Sequence, residues 1–431
     1  MRKLIQKKLG FLAKQILKKY KPKIVAVTGS VGKTSAREAI YSALSAGYPG
    51  QVASALENYN NELGVPLAIL GAAAPGKSVI GWLQVFCKAC GLILKRKKDY
   101  PRILILEMAA DRPGDIDYLV KIAPPDAAVV TSVGPSHLEF FSSLSAIAEE
   151  KEKLVKAAPE AGLIALNRDD PVVSKMTGRA PILRYGLLQD GEKINPDQIL
   201  ASEIRLTLIG DVPGIIFKLN YRGASVPVRL PKIIARHQIY AALAAAAVGL
   251  YFKLHLIKIA DGLKNFQAPA GRMRLLPGIK GSLIIDDTYN AAPASTIAAL
   301  RVLGEGELGQ GRRKVAILGD MLELGVQTEN GHREVGQAAA GIADLLITIG
   351  DRANFISDEA RKAGMPEEKI IDYNYADQAM NDLENILRPK DLILVKGSQG
   401  MRMEKIVKDI MFEPLRAEEL LVRQGWLDSN S

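Results

Sequence analysis

The chain has 431 residues, of which 48% are hydrophobic, 24% charged and 6% aromatic. That composition excludes intrinsic disorder and fibrous repeats and suits a soluble protein of two to four domains. No run of about 18 uncharged apolar residues occurs, which argues against a polytopic membrane protein. Cys87 and Cys90 cannot build a disulfide framework, and no signal peptide is evident, so a cytoplasmic protein is expected. Of the net charge of +10, residues 1–23 supply +9, which leaves about +1 for the other 408 residues. A nucleic-acid groove spread over the fold is therefore disfavoured.

In chain order, Ile5, Leu9, Leu12 and Ile16 recur at helical spacing among lysines, which predicts a basic amphipathic helix over residues 1–22, ended by Pro22. Lys23–Gly29 reads as a buried strand. Directly after it stand Thr28, Gly29, Ser30, Val31, Gly32, Lys33, Thr34 and Ser35, followed by a predicted helix over Ala36–Ser45. A strand, a glycine loop with a lysine and a hydroxyl, then a helix is what a phosphate loop requires. The glycines let backbone N–H groups close on phosphate oxygens, Lys33 reaches the outer phosphates, and Thr34 offers a hydroxyl to Mg²⁺. Val27 stands where the general pattern has its first glycine, so the loop is a variant.

Val79–Leu94 is an apolar segment trailed by Lys95, Arg96, Lys97 and Lys98, and too short and too charged to read as a membrane span. Within it, Cys87 and Cys90 have redox spacing but no metal-binding or thioredoxin-like setting, and buried, inert thiols are expected. Further strands are predicted at Ile103–Glu107, Ala127–Val133, Leu163–Asn167, Leu283–Asp287, Val315–Gly319, Leu345–Gly350 and Asp391–Gly397. Continuous apolar strands separated by helices argue for an α/β fold with a mostly parallel sheet. Residues 202–230 alternate in short runs, suggesting a small antiparallel section. Pro269, Gly271, Pro277 and Gly278 mark a boundary, dividing the chain into 1–22, 23–270 and 271–431.

The variant loop resembles that of the Mur ligases, which use ATP to add amino acids to the peptidoglycan precursor. The resemblance continues in order through Asn58–Pro66, Glu107–Ile116, His137–Phe141, Lys151, Asn167–Pro171, Asp286–Asn290, Gly319–Gly325 and Lys396–Ser398. It is nearest the type that adds D-alanyl-D-alanine. It implies a P-loop central ATPase domain followed by a smaller Rossmann-like α/β C-terminal domain, in a chain expected to be monomeric. It also implies ATP and two Mg²⁺ ions, one held by Thr34 and Glu107, the other by His137 and a carbamylated Lys151. Arg272 would reach the phosphates, Asp287 the ribose with Tyr289 and Asn290 beside it, and Gln238 the adenine, where the family usually has asparagine. Asn58, Asn60 and Asn61 would meet the acceptor peptide, and Lys396 and Ser398 the incoming amine.

Each assignment has an alternative that the residues alone leave open. Glu107 also suits a helix cap, His137 a core histidine, Lys151 a solvated helix face among Glu149, Glu150 and Glu152, and the asparagines a turn. The implied reaction joins a muramoyl-tripeptide to D-alanyl-D-alanine through an acyl phosphate. Rival readings are another carboxylate and amine pair (a lipid-linked muropeptide, or a cyanophycin- or folate-polyglutamate-type ligase) or a non-catalytic nucleotide-binding partner. Family members of this type carry a UDP-holding domain before the phosphate loop, and only 27 residues precede Thr28 here. The two basic segments therefore read either as peripheral contacts with the inner face of the membrane or as covers for the sheet.

Overall fold

The computed structural model of the chain describes residues 2–424 apart from 56–58, 77, 96, 135–139, 210–211, 306–307 and 309–310, with side chains from Ile5 onward. Two compact units emerge. The first comprises 1–205, 216–230 and 236–266, and the second 206–215, 231–235 and 267–431.

The first unit opens with α1 (Arg2–Tyr20), β1 (Lys23–Thr28), α2 (Lys33–Gly47), β2 (Val52–Ser54), α3 (Gly64–Leu70) and α4 (Val79–Leu94). It continues with β3 (Ile103–Glu107), α5 (Asp115–Ile122), β4 (Ala127–Val130), α6 (Leu144–Ala157), β5 (Leu163–Asn167) and β6 (Ile182–Leu187). Then come β7 (Ile199–Ile209), β8 (Val212–Tyr221) and β9 (Ala224–Pro231), of which residues 206–209, 212–215 and 231 group with the second unit, followed by α7 (Ile239–Tyr251) and α8 (Leu256–Leu263). The nine-stranded sheet has the order β2-β3-β1-β4-β5-β6-β7-β8-β9. Every pairing from β2 to β7 is parallel. β8 and β9 are joined by Arg222 and Gly223 alone, both at positive φ (47° and 78°), which is the mirror-image turn that closes antiparallel hairpins. The α/β expectation is thus met, and the short alternating runs near 202–230 fall in strands β7, β8 and β9.

Strands β3, β4 and β5, and β1 beyond Lys23, are buried because helices cover both faces of the sheet. On one face, α2, α7 and α8 pack together, and the alanine-rich α7 is buried on all sides. On the other, α1, α3, α4, α5 and α6 contribute to a single apolar cluster. α1 buries Leu9, Ala13 and Ile16, while Leu12 is only half-buried. α4 buries Val85, Ala89 and Leu92, one helical stripe. That phase corrects the cysteine expectation: Cys87 and Cys90 fall off the buried stripe and are exposed. Among the described residues no helix is long and apolar enough to cross a membrane.

The second unit contains β10 (Arg274–Pro277), β11 (Leu283–Asp287), α9 (Pro293–Gly304), β12 (Lys314–Gly319), α10 (Thr328–Ala340) and β13 (Leu345–Ile349). It ends with α11 (Asn354–Lys362), β14 (Ile370–Tyr373), α12 (Ala376–Ile386), β15 (Leu392–Lys396), α13 (Glu404–Ile410) and α14 (Ala417–Leu420). Its six strands run β10-β11-β15-β12-β13-β14. Only β10 is antiparallel to its neighbour. Two apolar clusters lie on the two faces of this sheet, as in doubly wound folds.

Candidate functional site

In the first unit the site grows from the turn between β1 and α2. Gly29 has φ +150°, and a Cβ there would stand 2.0 Å from the Thr131 hydroxyl. Gly32, at φ +83°, starts α2 in the left-handed conformation. α2 begins at Lys33 rather than at Ala36, so Lys33, Thr34 and Ser35 occupy its first turn, whose N–H groups have no partner within the helix. The loop is braced from the end of β4. The Thr131 hydroxyl donates to the carbonyls of Val31 (2.6 Å) and Thr28 (3.2 Å). Ser30 N–H donates to Ser132 O at 2.8 Å, and Val31 N–H to Ser132 Oγ at 3.1 Å. This bracing is why β4 stops at Val130 and not at Val133. Lys33 Nζ folds over the loop, donating to Gly29 O (2.7 Å) and Ser30 O (3.3 Å). The Thr28 hydroxyl is buried without a hydrogen-bond partner.

Glu107, the last residue of β3, pairs in register with Val27 beside this loop. It is 1% exposed. The Thr34 hydroxyl donates to its Oε2 at 3.1 Å and the Asn60 amide to its Oε1 at 3.1 Å, while Arg37 Nη1 lies 3.7 Å from Oε2. A helix-cap role for Glu107 is thereby replaced by a fixed carboxylate next to a hydroxyl, the oxygen donors that Mg²⁺ accepts together with phosphate and water. Among the described residues no three acidic, His or Cys side chains gather into a metal site by themselves. His137 and Asn58 lie outside the described residues. Asn61 Oδ1 accepts from Leu63 N–H (3.2 Å) and Gly64 N–H (3.0 Å), an Asx turn leading into α3.

Lys151 on α6 is only 2% exposed, so it does not belong to a solvated helix face. Burial, reinforced by the charge of Lys33 and opposed by Asp111 and Glu150, pushes its ammonium down to about 8. Its neighbour Glu150 has a different task. It accepts from Gly114 N–H (3.0 Å) and Ile116 N–H (2.9 Å) at the start of α5, and from Lys153 Nζ at 2.7 Å. Within Asn167–Pro171, the Asn167 amide donates to Thr131 O at 2.9 Å, and Asp170 Oδ2 accepts from Val133 N–H at 2.9 Å. Those two side chains hold the segment that braces the loop. Gln238 is buried in the single turn Arg236–Gln238 ahead of α7.

In the second unit, Asp287, Lys396 and Gly319 end β11, β15 and β12, the carboxyl ends of parallel strands where α/β proteins bind ligands. Lys396 Nζ donates to Asp287 Oδ2 at 2.6 Å and to Asn290 O at 2.8 Å, which joins residues that the sequence distributed between ribose and amine. The Arg272 guanidinium lies 4.0 Å from the Tyr289 ring centroid. Their backbones are tied through Gly271, whose O accepts from Tyr289 N–H at 3.0 Å. Gly271 has φ +67°, and a Cβ there would come within 2.9 Å of Tyr289 N. Asp286 is fully buried, accepting from Gly271 N–H (2.9 Å) and the Thr288 hydroxyl (2.6 Å). Burial pushes its carboxyl up to about 6. Ser398 Oγ accepts from Leu322 N–H at 2.9 Å, linking Gly319–Gly325 to the end of β15.

The sequence reading passed over four residues that hold these groups, Arg37 in the first unit and Arg423, Glu404 and His332 in the second. Arg37 packs beside Glu107. Arg423 donates to Thr288 O (2.7 Å) and Tyr289 O (3.1 Å) while paired with buried Glu404. His332 accepts from Met321 N–H at 3.0 Å through Nε2 and therefore donates through Nδ1 to Thr328 O at 2.6 Å. None of the four sits in a glycine-rich or motif-like run. Their sequence neighbours, Ala36 and Glu38, Gly331 and Arg333, Met403 and Lys405, and Val422 and Gln424, gave no signal that these side chains would be buried or paired.

Residues 89–249 match the family described as Mur ligase middle domain, and 271–399 match Mur ligase, glutamate ligase domain. The UDP-N-acetylmuramoyl-tripeptide–D-alanyl-D-alanine ligase of Bacillus subtilis (strain 168) is 30% identical over 405 residues, covering 94% of this chain and 79% of that enzyme. A MurF structure from Acinetobacter baumannii superimposes with a TM-score of 0.76 at 26% identity, covering 94% of this chain and 80% of its own. MurF ligase from Thermotoga maritima, solved in complex with ADP, gives 0.70 at 26% identity, covering 94% and 83%. The phosphate loop, the carboxylate beside it and both folds agree with these matches, and the chain belongs to the Mur ligase family.

Proposed function

We propose that the chain catalyses the ATP-dependent addition of D-alanyl-D-alanine to a muramoyl-tripeptide in peptidoglycan synthesis. The observation that carries this reading is the buried contact of Thr34 with Glu107 at the mouth of the glycine loop. It occurs in a chain that aligns with 79% of the length of a ligase of that name. In the reaction, an oxygen of the tripeptide carboxylate takes the γ-phosphoryl group of ATP as the bond to ADP breaks. The amine of the dipeptide then attacks the acyl carbon, phosphate leaves, and the amine loses a proton. Positioning and charge neutralisation supply most of the catalysis in such transfers.

In this reading the N–H groups of the first turn of α2 and Lys33 cradle the phosphates. Thr28, Gly29, Ser30, Val31, Gly32 and Ser35 shape that cradle. Thr34 and Glu107 would hold one Mg²⁺, and His137 with Lys151 the second. The metal supplies positive charge to phosphate oxygens. Lys151 suits carbamylation because its burial leaves part of it as the neutral amine that CO₂ requires. Gln238 is assigned to the adenine. In the second unit, Arg272, Asp287, Tyr289 and Asn290 are assigned to nucleotide, and Lys396 and Ser398 to the incoming amine. Asn58, Asn60 and Asn61 are assigned to the acceptor end, Asn60 also holding Glu107. The functional domains in this reading are 23–270 and 271–431, preceded by the basic helix over 1–22, and the chain acts as a monomer in the cytoplasm with peripheral contact to the inner face of the membrane.

Phosphate release from ATP and Mg²⁺ tests the reading, with UDP-N-acetylmuramoyl-tripeptide and D-alanyl-D-alanine added singly and together. Release that needs both, with the dipeptide present in the product mass, is expected. Absence of release with both the soluble and a lipid-linked acceptor would overturn the proposed acceptor, and a Lys33→Ala variant with full activity would overturn the catalytic reading altogether.

A further inference from the structure

The outer face of α4 is apolar and open to solvent. Val79, Leu83, Cys87, Cys90 and Leu94 follow one another at spacings of four, four, three and four residues, which lines them up along a single stripe of the helix opposite Val85, Ala89 and Leu92. Val79 is 80% exposed, Leu83 63% and Leu94 82%. A monomer seldom leaves a continuous apolar stripe of this kind in water without a partner for it.

Basic residues border the stripe on both sides. On one side runs α1, locked beside α4 by Lys19 Nζ, which donates to Leu92 O (3.1 Å) and Ile93 O (2.7 Å). A shallow groove of about 330 Å³ lies between the two helices, lined by Lys7, Lys8, Phe11 and Leu12 of α1 and Phe86 of α4. Phe11 is itself 60% exposed. On the other side, Lys88, Lys95 and Lys97 rim a cavity of about 590 Å³ whose walls include Leu70, Leu92 and Leu104. Residues 1–21 and 77–98 together hold fourteen lysines and arginines and no acid, so the remaining 388 residues carry a net charge of about −4. The positive charge of this chain is concentrated in these two segments and opposed elsewhere.

We propose that this α1–α4 face seats on an anionic phospholipid bilayer, with the α4 stripe and Phe11 entering the headgroup–acyl boundary and the flanking lysines meeting lipid phosphates. The arrangement of an apolar stripe between two basic borders is that of interfacial helices, and the cytoplasmic leaflet offers the matching negative potential. A second copy of the chain would bring two strongly positive faces together, which disfavours it as the occupant. The proposal rests on the peripheral-contact reading above and names the surface that makes the contact; it does not depend on the ligase chemistry.

Co-sedimentation of the full chain with vesicles of phosphatidylcholine alone, or mixed with phosphatidylglycerol, tests it. Capture by the mixed vesicles only, released by high salt, is expected. The double variant Leu83→Asp, Leu94→Asp changes two exposed side chains, so its melting temperature should match that of the wild type while its partitioning falls about tenfold or more. Lys88→Glu with Lys95→Glu should act in the same direction. No capture of the wild type by either vesicle would overturn membrane contact as a whole. Equal capture of wild type and Leu83→Asp, Leu94→Asp would overturn this face while leaving peripheral contact standing. A concentration-dependent dimer, abolished by the same double variant, would make a second copy the occupant and overturn the bilayer. Phosphate release measured without vesicles reports on the ligase reading separately.

Discussion

Glu107 shows how one side chain acquires its setting from three directions. The hydroxyl of Thr34, the amide of Asn60 and the guanidinium of Arg37 all converge on it, so its orientation is held by partners on α2 and on the loop before α3. Replacing Asn60 with Ala should therefore lower kcat by roughly tenfold or more with little change in melting temperature, since a supporting contact to the carboxylate proposed to hold Mg²⁺ is lost. Asn61→Ala should do the reverse, removing an Asx turn and costing about 0.5–1.5 kcal/mol in denaturant unfolding. Equal kinetic effects of the two variants would argue against this division. At Lys151, supply of ¹³C-labelled bicarbonate should give a carbamate signal that Lys151→Arg abolishes. At constant dissolved CO₂ that signal should rise with pH through about 8, because the neutral amine is the reactive form. Asn60, Asn61 and Lys151 were all legible as candidates in the sequence. Their partners were not, because burial and hydrogen bonding are decided by chain segments distant in sequence.

At the scale of elements, loops at strand ends are held by buried polar groups. His332 on α10 holds the start of Gly319–Gly325 through the Met321 N–H, an acceptance that only the neutral imidazole can make. Burial lowers its pKa, with Asp320 opposing and Arg352 reinforcing that shift. Between that lowered value and the ordinary 6.5, the unfolded chain takes up a proton that the folded chain does not, so falling pH removes stability in this window. Asp286 acts with the opposite sign. Its carboxyl is raised from 3.8 to about 6, so the folded chain binds the proton more tightly and stability rises as pH falls through that range. The clean measurement is the difference in unfolding free energy between wild type and His332→Gln from pH 8 to pH 5. It should shrink as pH falls; a constant difference would show that folding does not lower the His332 pKa. The phosphate loop makes a sharper case. Gly29→Ala places a Cβ on the Thr131 hydroxyl, and should abolish nucleotide binding, as read by loss of the ADP-induced rise in melting temperature.

For the whole molecule, the alternation of apolar runs and helices predicted a mostly parallel α/β fold and the family resemblance a second, Rossmann-like α/β domain; the structure has two sheets with separate apolar clusters. Binding of Mg²⁺ and ADP should stabilise the folded chain by about 2.7 kcal/mol at a hundredfold excess over Kd. Lys33→Ala should remove most of that increment, and retention of all of it would mean that nucleotide binds elsewhere. The helix α1 and the outer stripe of α4 also belong to this scale. The sequence left open whether the basic segments cover the sheet or contact a membrane. The structure turns Leu9, Ala13 and Ile16 inward as cover for the sheet and leaves Val79, Leu83 and Leu94 outward, on the face proposed above to meet a membrane.

What the sequence determined by itself was whatever depends on local order. The phosphate loop was visible because its glycines and lysine must be consecutive, the strands because continuous burial demands unbroken apolar runs, and the family because its motifs recur in order. Tertiary structure alone decided the exposure of Cys87 and Cys90, the ion pair of Lys396 with Asp287 and the tautomer of His332. It likewise decided the bracing of Tyr289 by Arg423. Each of these depends on which face of an element meets another element brought in from far along the chain, and periodicity predicts that an element has a buried face more readily than it predicts which side chains will lie against it.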